Sequence, residues 1–170
     1  MIDLLSKLLP PDWMIYVKEH VSQFKDYQAA ERSKTFDFYD RIASKSNVKI
    51  VPLSYTSFEL IDHAKASATV SGTVGWESVV RGKPALLFGH SWYRDCRGVF
   101  VTHTVEQCKE AIQKIQNGLQ IDRNELICFA KAVENCSVRG YIDKFYEKMN
   151  IVSPEENVEN LAKAIHEFTS

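Results

Sequence analysis

Five short apolar runs, residues 13–17, 48–51, 67–71, 85–88 and 98–101, alternate along the chain with stretches of helical periodicity. Continuous apolar runs of this length read as strands buried on both faces. Their alternation with helices predicts an α/β fold, a mainly parallel sheet of about five strands between two helical layers. Ala85-Leu86-Leu87-Phe88 is the clearest of the runs. Helix starts are marked by local chemistry. Thr104 with Gln107 predicts a capping box ahead of Val105, Cys108, Ala111, Ile112 and Ile115 on one face, and Gly118 supplies the left-handed stop. Asp122 with Glu125 opens another helix with Leu126, Phe129, Ala130 and Val133 inward. Ser153-Pro154-Glu155-Glu156 opens a terminal helix whose Val158, Leu161, Ala162, Ile165 and Phe168 are expected to be core. A leading helix (Ile2, Leu4, Leu5, Leu8, Leu9) is stopped by Pro10-Pro11 just before the first strand. A doubly wound domain more naturally opens with a strand, so the expectation is that sequence upstream is missing.

The length, 170 residues, predicts a single domain spanning 1–170, with the helices of 121–170 packing on it. Composition then narrows the class. With 45% hydrophobic and 25% charged residues and a net charge of −1, the chain is neither disordered nor collagen-like. The near-neutral balance argues against a nucleic-acid binder that works by broad phosphate neutralisation. No apolar run approaches the roughly 20 residues of a membrane span, and no charged-then-apolar signal segment opens the sequence. Cys96, Cys108, Cys128 and Cys136 show no zinc or C-x-x-C spacing. They read as reduced structural thiols in a reducing compartment, Cys108 and Cys128 on helical apolar stripes, and no metal site is expected.

Ligands of open α/β sheets bind beyond the carboxyl ends of the strands, so the residues following each run carry the chemistry. These are Lys18-Glu19-His20, Pro52-Leu53-Ser54-Tyr55, Ser71-Gly72-Thr73-Val74-Gly75 with Glu77, Gly89-His90-Ser91 with Tyr93, Arg94 and Arg97, and Thr102-His103. Glycines and small hydroxyl residues between a strand and a helix allow a tight turn, and the new helix offers free N–H groups to a phosphate. Ser71 or Thr73 could cap that helix or donate to the phosphate, and Glu77 could accept from ribose hydroxyls. The plainer alternative is that Gly72 and Gly75 serve only the turn. His20 reads either as a surface residue or as a donor, or acid, toward a phosphate. Arg81, Lys83, Arg94 and Arg97 face only Asp95 in sequence, which reads as a solvated face or as complementarity to an anionic nucleotide or sugar. His63 and His103 read as surface residues.

Several separated segments resemble capsule polysaccharide biosynthesis proteins in the same order. They are Tyr16-Val17-Lys18-Glu19-His20, Phe36-Asp37-Phe38-Tyr39, Val51-Pro52-Leu53, Gly72-Thr73-Val74-Gly75-Trp76-Glu77, Arg81-Gly82-Lys83-Pro84, Phe88-Gly89 and Trp92-Tyr93. The resemblance spans roughly residues 8–117. It implies the Rossmann-like, donor-binding C-terminal half of a bacterial GT-B glycosyltransferase, some members of which transfer Kdo from its CMP conjugate. His20 is then similar to the histidine of a Lys-Glu-His-Pro motif placed at the donor phosphate, although Val21 stands where the motif has proline. Ser71 and Thr73 resemble the hydroxyl pair that holds the same phosphate, Glu77 the ribose-binding glutamate, and residues 53–55 the loop bordering the base. Lys18, Gly72 and Gly75 fall in the same phosphate and nucleotide set. Tyr93, Arg94 and Arg97 are further contacts to sugar or phosphate.

The expected ligand is a nucleotide-sugar donor, CMP-Kdo-like or a UDP-sugar, with no other cofactor. A glycan or glycolipid acceptor and the catalytic base would come from an N-terminal domain, so transfer by this chain alone is not expected. Two other readings share the fold: an epimerase of the UDP-N-acetylglucosamine 2-epimerase type, and a non-catalytic detached domain among capsule-assembly proteins. The expected address is cytoplasmic, free or peripheral at the inner membrane.

Overall fold

The computed structural model describes residues 1–20, 36–143, 146 and 152–169. Val21 and the polar stretch 22–25 lie outside the described residues. The elements run α1 (Ile2–Leu8), β1 (Ile15–Val17), α2 (Phe36–Ala43), β2 (Val48–Ile50), α3 (Ser57–His63), β3 (Ser67–Thr69), α4 (Val74–Val80), β4 (Ala85–Leu87), β5 (Val99–Val101), α5 (Val105–Gln116), α6 (Arg123–Asn135) and α7 (Pro154–Thr169). Every apolar run read as a strand contains one. The chain forms two compact units, Met1–Leu126 and Ile127–Ser170.

All strand pairs are parallel. They form two hydrogen-bonded sets, β1-β2 and β3-β4-β5, instead of one five-stranded sheet. Each strand is only three residues long, so each ladder is short. Side chains join the two sets: Ile15 of β1, Ala68 of β3 and Phe100 of β5 pack on one buried cluster of Leu5, Leu86, Cys108, Ala111, Ile112 and Ile115. That cluster contains the predicted stripe of α5, less Val105, which is exposed, together with Leu5 of α1 and Leu86 of β4. Thr104 and Gln107 form the expected capping box, and Gly118 takes φ +78° just past the helix.

The leading helix belongs to this core. Leu5 is buried in it and Leu4, Leu8 and Leu9 pack against it. Polar contacts tie α1 to the chain ahead of β2: the Ser6 hydroxyl donates to Asn47 Oδ1 at 2.7 Å and Asn47 Nδ2 donates to the Ser6 carbonyl at 2.9 Å. Asp3 pairs with Arg41 of α2 and, at 3.0 Å, with Lys45. The short helix α3 carries a capping box of its own, Thr56 with Glu59.

The second unit departs from expectation. No described residue of α6 is buried, and Cys128 is exposed rather than set in an apolar stripe. In α7, Ser153 accepts from the Glu156 amide at 3.1 Å, as its start signal predicts, but the inward residue is polar. Asn157 is buried, accepting from the Tyr141 amide at 2.7 Å and donating to the Tyr141 carbonyl at 3.1 Å. That segment covers the face of Asn157, one position before the expected stripe, so Val158, Ile165 and Phe168 are exposed. No helix among the described residues is long and apolar enough to cross a membrane.

Candidate functional site

Turn 71–73 leaves the carboxyl end of β3 and opens α4. It is held from inside by Thr69 and Tyr93. Thr69, the buried last residue of β3, accepts from the Gly72 amide at 3.0 Å. Tyr93, 0% exposed, donates its hydroxyl to the Gly72 carbonyl from 21 residues further along the chain. The Tyr93 ring also explains the glycine at 75: a Cβ there would stand 2.6–2.9 Å from the ring and its hydroxyl. Gly75 therefore makes room for Tyr93 and is not itself an exposed ligand contact. Burial raises the Tyr93 phenol above its ordinary value, partly offset by hydrogen bonds with Ser91 and Gly75, so it stays a proton donor. Expected as a contact to sugar or phosphate, Tyr93 is instead the brace under the turn.

The outer surface of the turn is open. Ser71, Gly72 and Thr73 are exposed, and Thr73, just before α4, caps it with no side-chain hydrogen bond. The Thr73 hydroxyl donates to Glu77 Oε1 at 3.0 Å, so the residues expected at phosphate and ribose are joined to each other. Beyond Tyr93, Trp92 is half exposed and lies 4.9 Å from Trp76 of α4, ring centre to ring centre. At the other end of α4, buried Ser78 donates to the Pro84 carbonyl at 3.3 Å and fixes the approach to β4.

The next rim loops lie beside this turn because β4 is the middle strand. Gly89 passes so close to β3 that a Cβ would stand 2.7 Å from the Val70 carbonyl oxygen. His90, just beyond, packs edge-on against His103 after β5, ring centres 5.2 Å apart. Thr102 is buried, its hydroxyl on the Leu87 carbonyl at 3.1 Å.

The basic stretch is largely neutralised. Arg97 pairs with Glu125 at 2.6 Å and Arg94 with Asp95 at 3.5 Å. Arg81 donates to both oxygens of Asp62, at 2.7 and 2.8 Å, while lying over the Phe58 ring. Arg97 thus pairs with the first turn of α6 through Glu125. Asp122 alone accepts the Asn124 amide at 2.8 Å. These partners lie up to 28 residues away, which a window of local charge does not see.

The remaining expected residues stand at the carboxyl ends of β1 and β2. Lys18 folds its ammonium onto the Glu19 carbonyl at 3.3 Å, Glu19 is buried, and His20 is exposed. Leu53, Ser54 and Tyr55 form an exposed turn ahead of α3. Direct contacts gather residues 69–77, 90–94 and 102–103, while 18–20 and 53–55 belong to the ends of the other sheet. Among the described residues no group of three His, Cys, Asp or Glu side chains is placed to hold a metal ion. Comparison with protein-family models, curated proteins and solved structures finds no match for this chain.

Proposed function

We propose that this chain is the donor-nucleotide domain of a capsule-type glycosyltransferase of GT-B architecture. The observation that carries the reading is the turn at 71–73. It is exposed, carries the Ser71 and Thr73 hydroxyls at an uncapped helix start, and is braced from within at the carboxyl end of a parallel strand. Preorganised donors of this kind stabilise charge developing on a leaving phosphate. In this reading the start of α4, Ser71 and Thr73 hold the donor phosphate, with Lys18 and His20 approaching from the end of β1. Glu77 exchanges the Thr73 hydroxyl for ribose hydroxyls, and residues 53–55 border the base. An N-terminal partner domain supplies the catalytic base and the glycan or glycolipid acceptor.

Amide chemical shifts recorded against CMP, UDP and CMP-Kdo, each at about 1 mM, test the reading at the weak end of specific binding. Shifts at Ser71, Gly72, Thr73 and Glu77, joined by His20, are expected with one of the three. Silence at those amides with all three ligands would remove the proposal.

A further inference from the structure

Beside the turn stand His90 and His103, to which the motif reading gives no role, and Arg94, which it counts as a contact to sugar or phosphate; they come from the loops after β4 and β5. All three are exposed. Arg94 Nη1 lies 3.4 Å from His90 Nδ1, and the two imidazoles are edge-on with centres 5.2 Å apart. A guanidinium has donors only, so in this contact a neutral His90 ring accepts at Nδ1 and carries its proton on Nε2. Protonation converts Nδ1 into a second donor facing a cation. The contact with Arg94 becomes repulsive, and a protonated His103 adds another positive charge. Among the described residues, Asp95 pairs with Arg94 Nε at 3.5 Å, and Glu106 stands in the first turn of α5. Gln107 of α5 is neutral and is engaged by the amides of His103 and Thr104. An anion at the outer edges of the paired rings, beside Arg94, would accept from the imidazoliums and the guanidinium and relieve their repulsion. The place fits, because the carboxyl rim of a parallel sheet is where such folds take ligands.

We propose that His90, Arg94 and His103 form a proton-gated oxyanion site, beside the turn at 71–73, that binds a phosphate or carboxylate group. The inference does not depend on the donor-nucleotide reading. Ligand affinity rises as pH falls, since proton uptake by the imidazoles accompanies binding.

The test uses sulfate, whose charge is constant across the range, with acetate as the carboxylate arm. Both are titrated at fixed ionic strength while the histidine ring signals are followed. Sulfate is expected to bind about fivefold or more tightly at about pH 5.5 than at about pH 8, where imidazoles have lost their charge. Sulfate ahead of acetate assigns the site to phosphate-like groups, and the reverse to carboxylates. Arg94→Gln weakens binding at both pH values, and His103→Gln removes most of the pH dependence. All three side chains are exposed, so the amide spectrum of each variant should otherwise match the parent. Equal shifts with chloride, or unchanged sulfate binding in the His90→Gln, Arg94→Gln, His103→Gln triple variant, would mean an adventitious ion only and overturn the site. Nucleotide shifts at residues 71–77 are read separately, so either proposal can fail without the other.

Discussion

Tyr93 donates its hydroxyl to the Gly72 carbonyl, and the same ring occupies the space a side chain at Gly75 would need. One buried aromatic therefore sets both the shape of the turn and the identity of a residue in it. Tyr93→Phe keeps the ring and removes the bond, and should cost about 1 kcal/mol in urea unfolding. Faster amide exchange is expected at Gly72 and Thr73. Gly75→Ala forces a methyl into the ring and should cost about 1–3 kcal/mol, the range for overpacking. Because the closest contact is to the hydroxyl oxygen, at 2.6 Å, Gly75→Ala should be milder in the Tyr93→Phe background. Strict additivity in that double-mutant cycle would contradict the contact.

The core position of α1 predicts that the leading helix is integral to the first unit. Leu5→Ala should destabilise by about 2–5 kcal/mol, as for other buried leucines. A change in denaturation midpoint within error of the parent would show α1 to be an appendage.

Asp3 carries a defined acid dependence. Its hydrogen bonds with Arg41 and then Lys45 lower its pKa to about 2. The folded value lies below the unfolded one, so the contribution is fully present above about pH 4. It is lost as pH falls toward about 2. Urea midpoints of the parent and Asp3→Asn, followed down this range, should differ near neutrality and converge at the acid end. A constant difference would count against the ion pair.

Thiol chemistry reads out burial directly. Burial raises the Cys96 and Cys108 thiols above their ordinary values and shields them from reagents, while Cys128 and Cys136 are exposed. Native protein should therefore label rapidly at Cys128 and Cys136, and at the other pair only on denaturation. Mass spectrometry of the labelled peptides distinguishes the sites. Fast native labelling of Cys108 would contradict the core assignment.

The elements that were legible in the sequence are those whose causes are local. An apolar run, a threonine three residues before a glutamine, or a glycine just past a helix acts through neighbours in the chain. The strands, the capping box at Thr104 and the stop at Gly118 consequently stand where the pattern puts them. The turn at 71–75 was legible as a turn for the same reason. Its interior was not, because the Tyr93 hydroxyl reaches it from 21 residues away.

Tertiary structure alone decided which charges are available and which apolar faces are covered. Arg81 and Arg97 look like part of a basic patch until Asp62 and Glu125 arrive from other elements. His103 looks like a surface residue, and His90 like part of a different rim loop, until adjacent parallel strands set their rings 5.2 Å apart. In α7 the helix itself was legible, but Asn157 faces inward and Phe168 is exposed because a neighbouring segment selects the buried face. Hydrophobic periodicity determines that a helix has an apolar side. Only a packed neighbour determines which side loses its water.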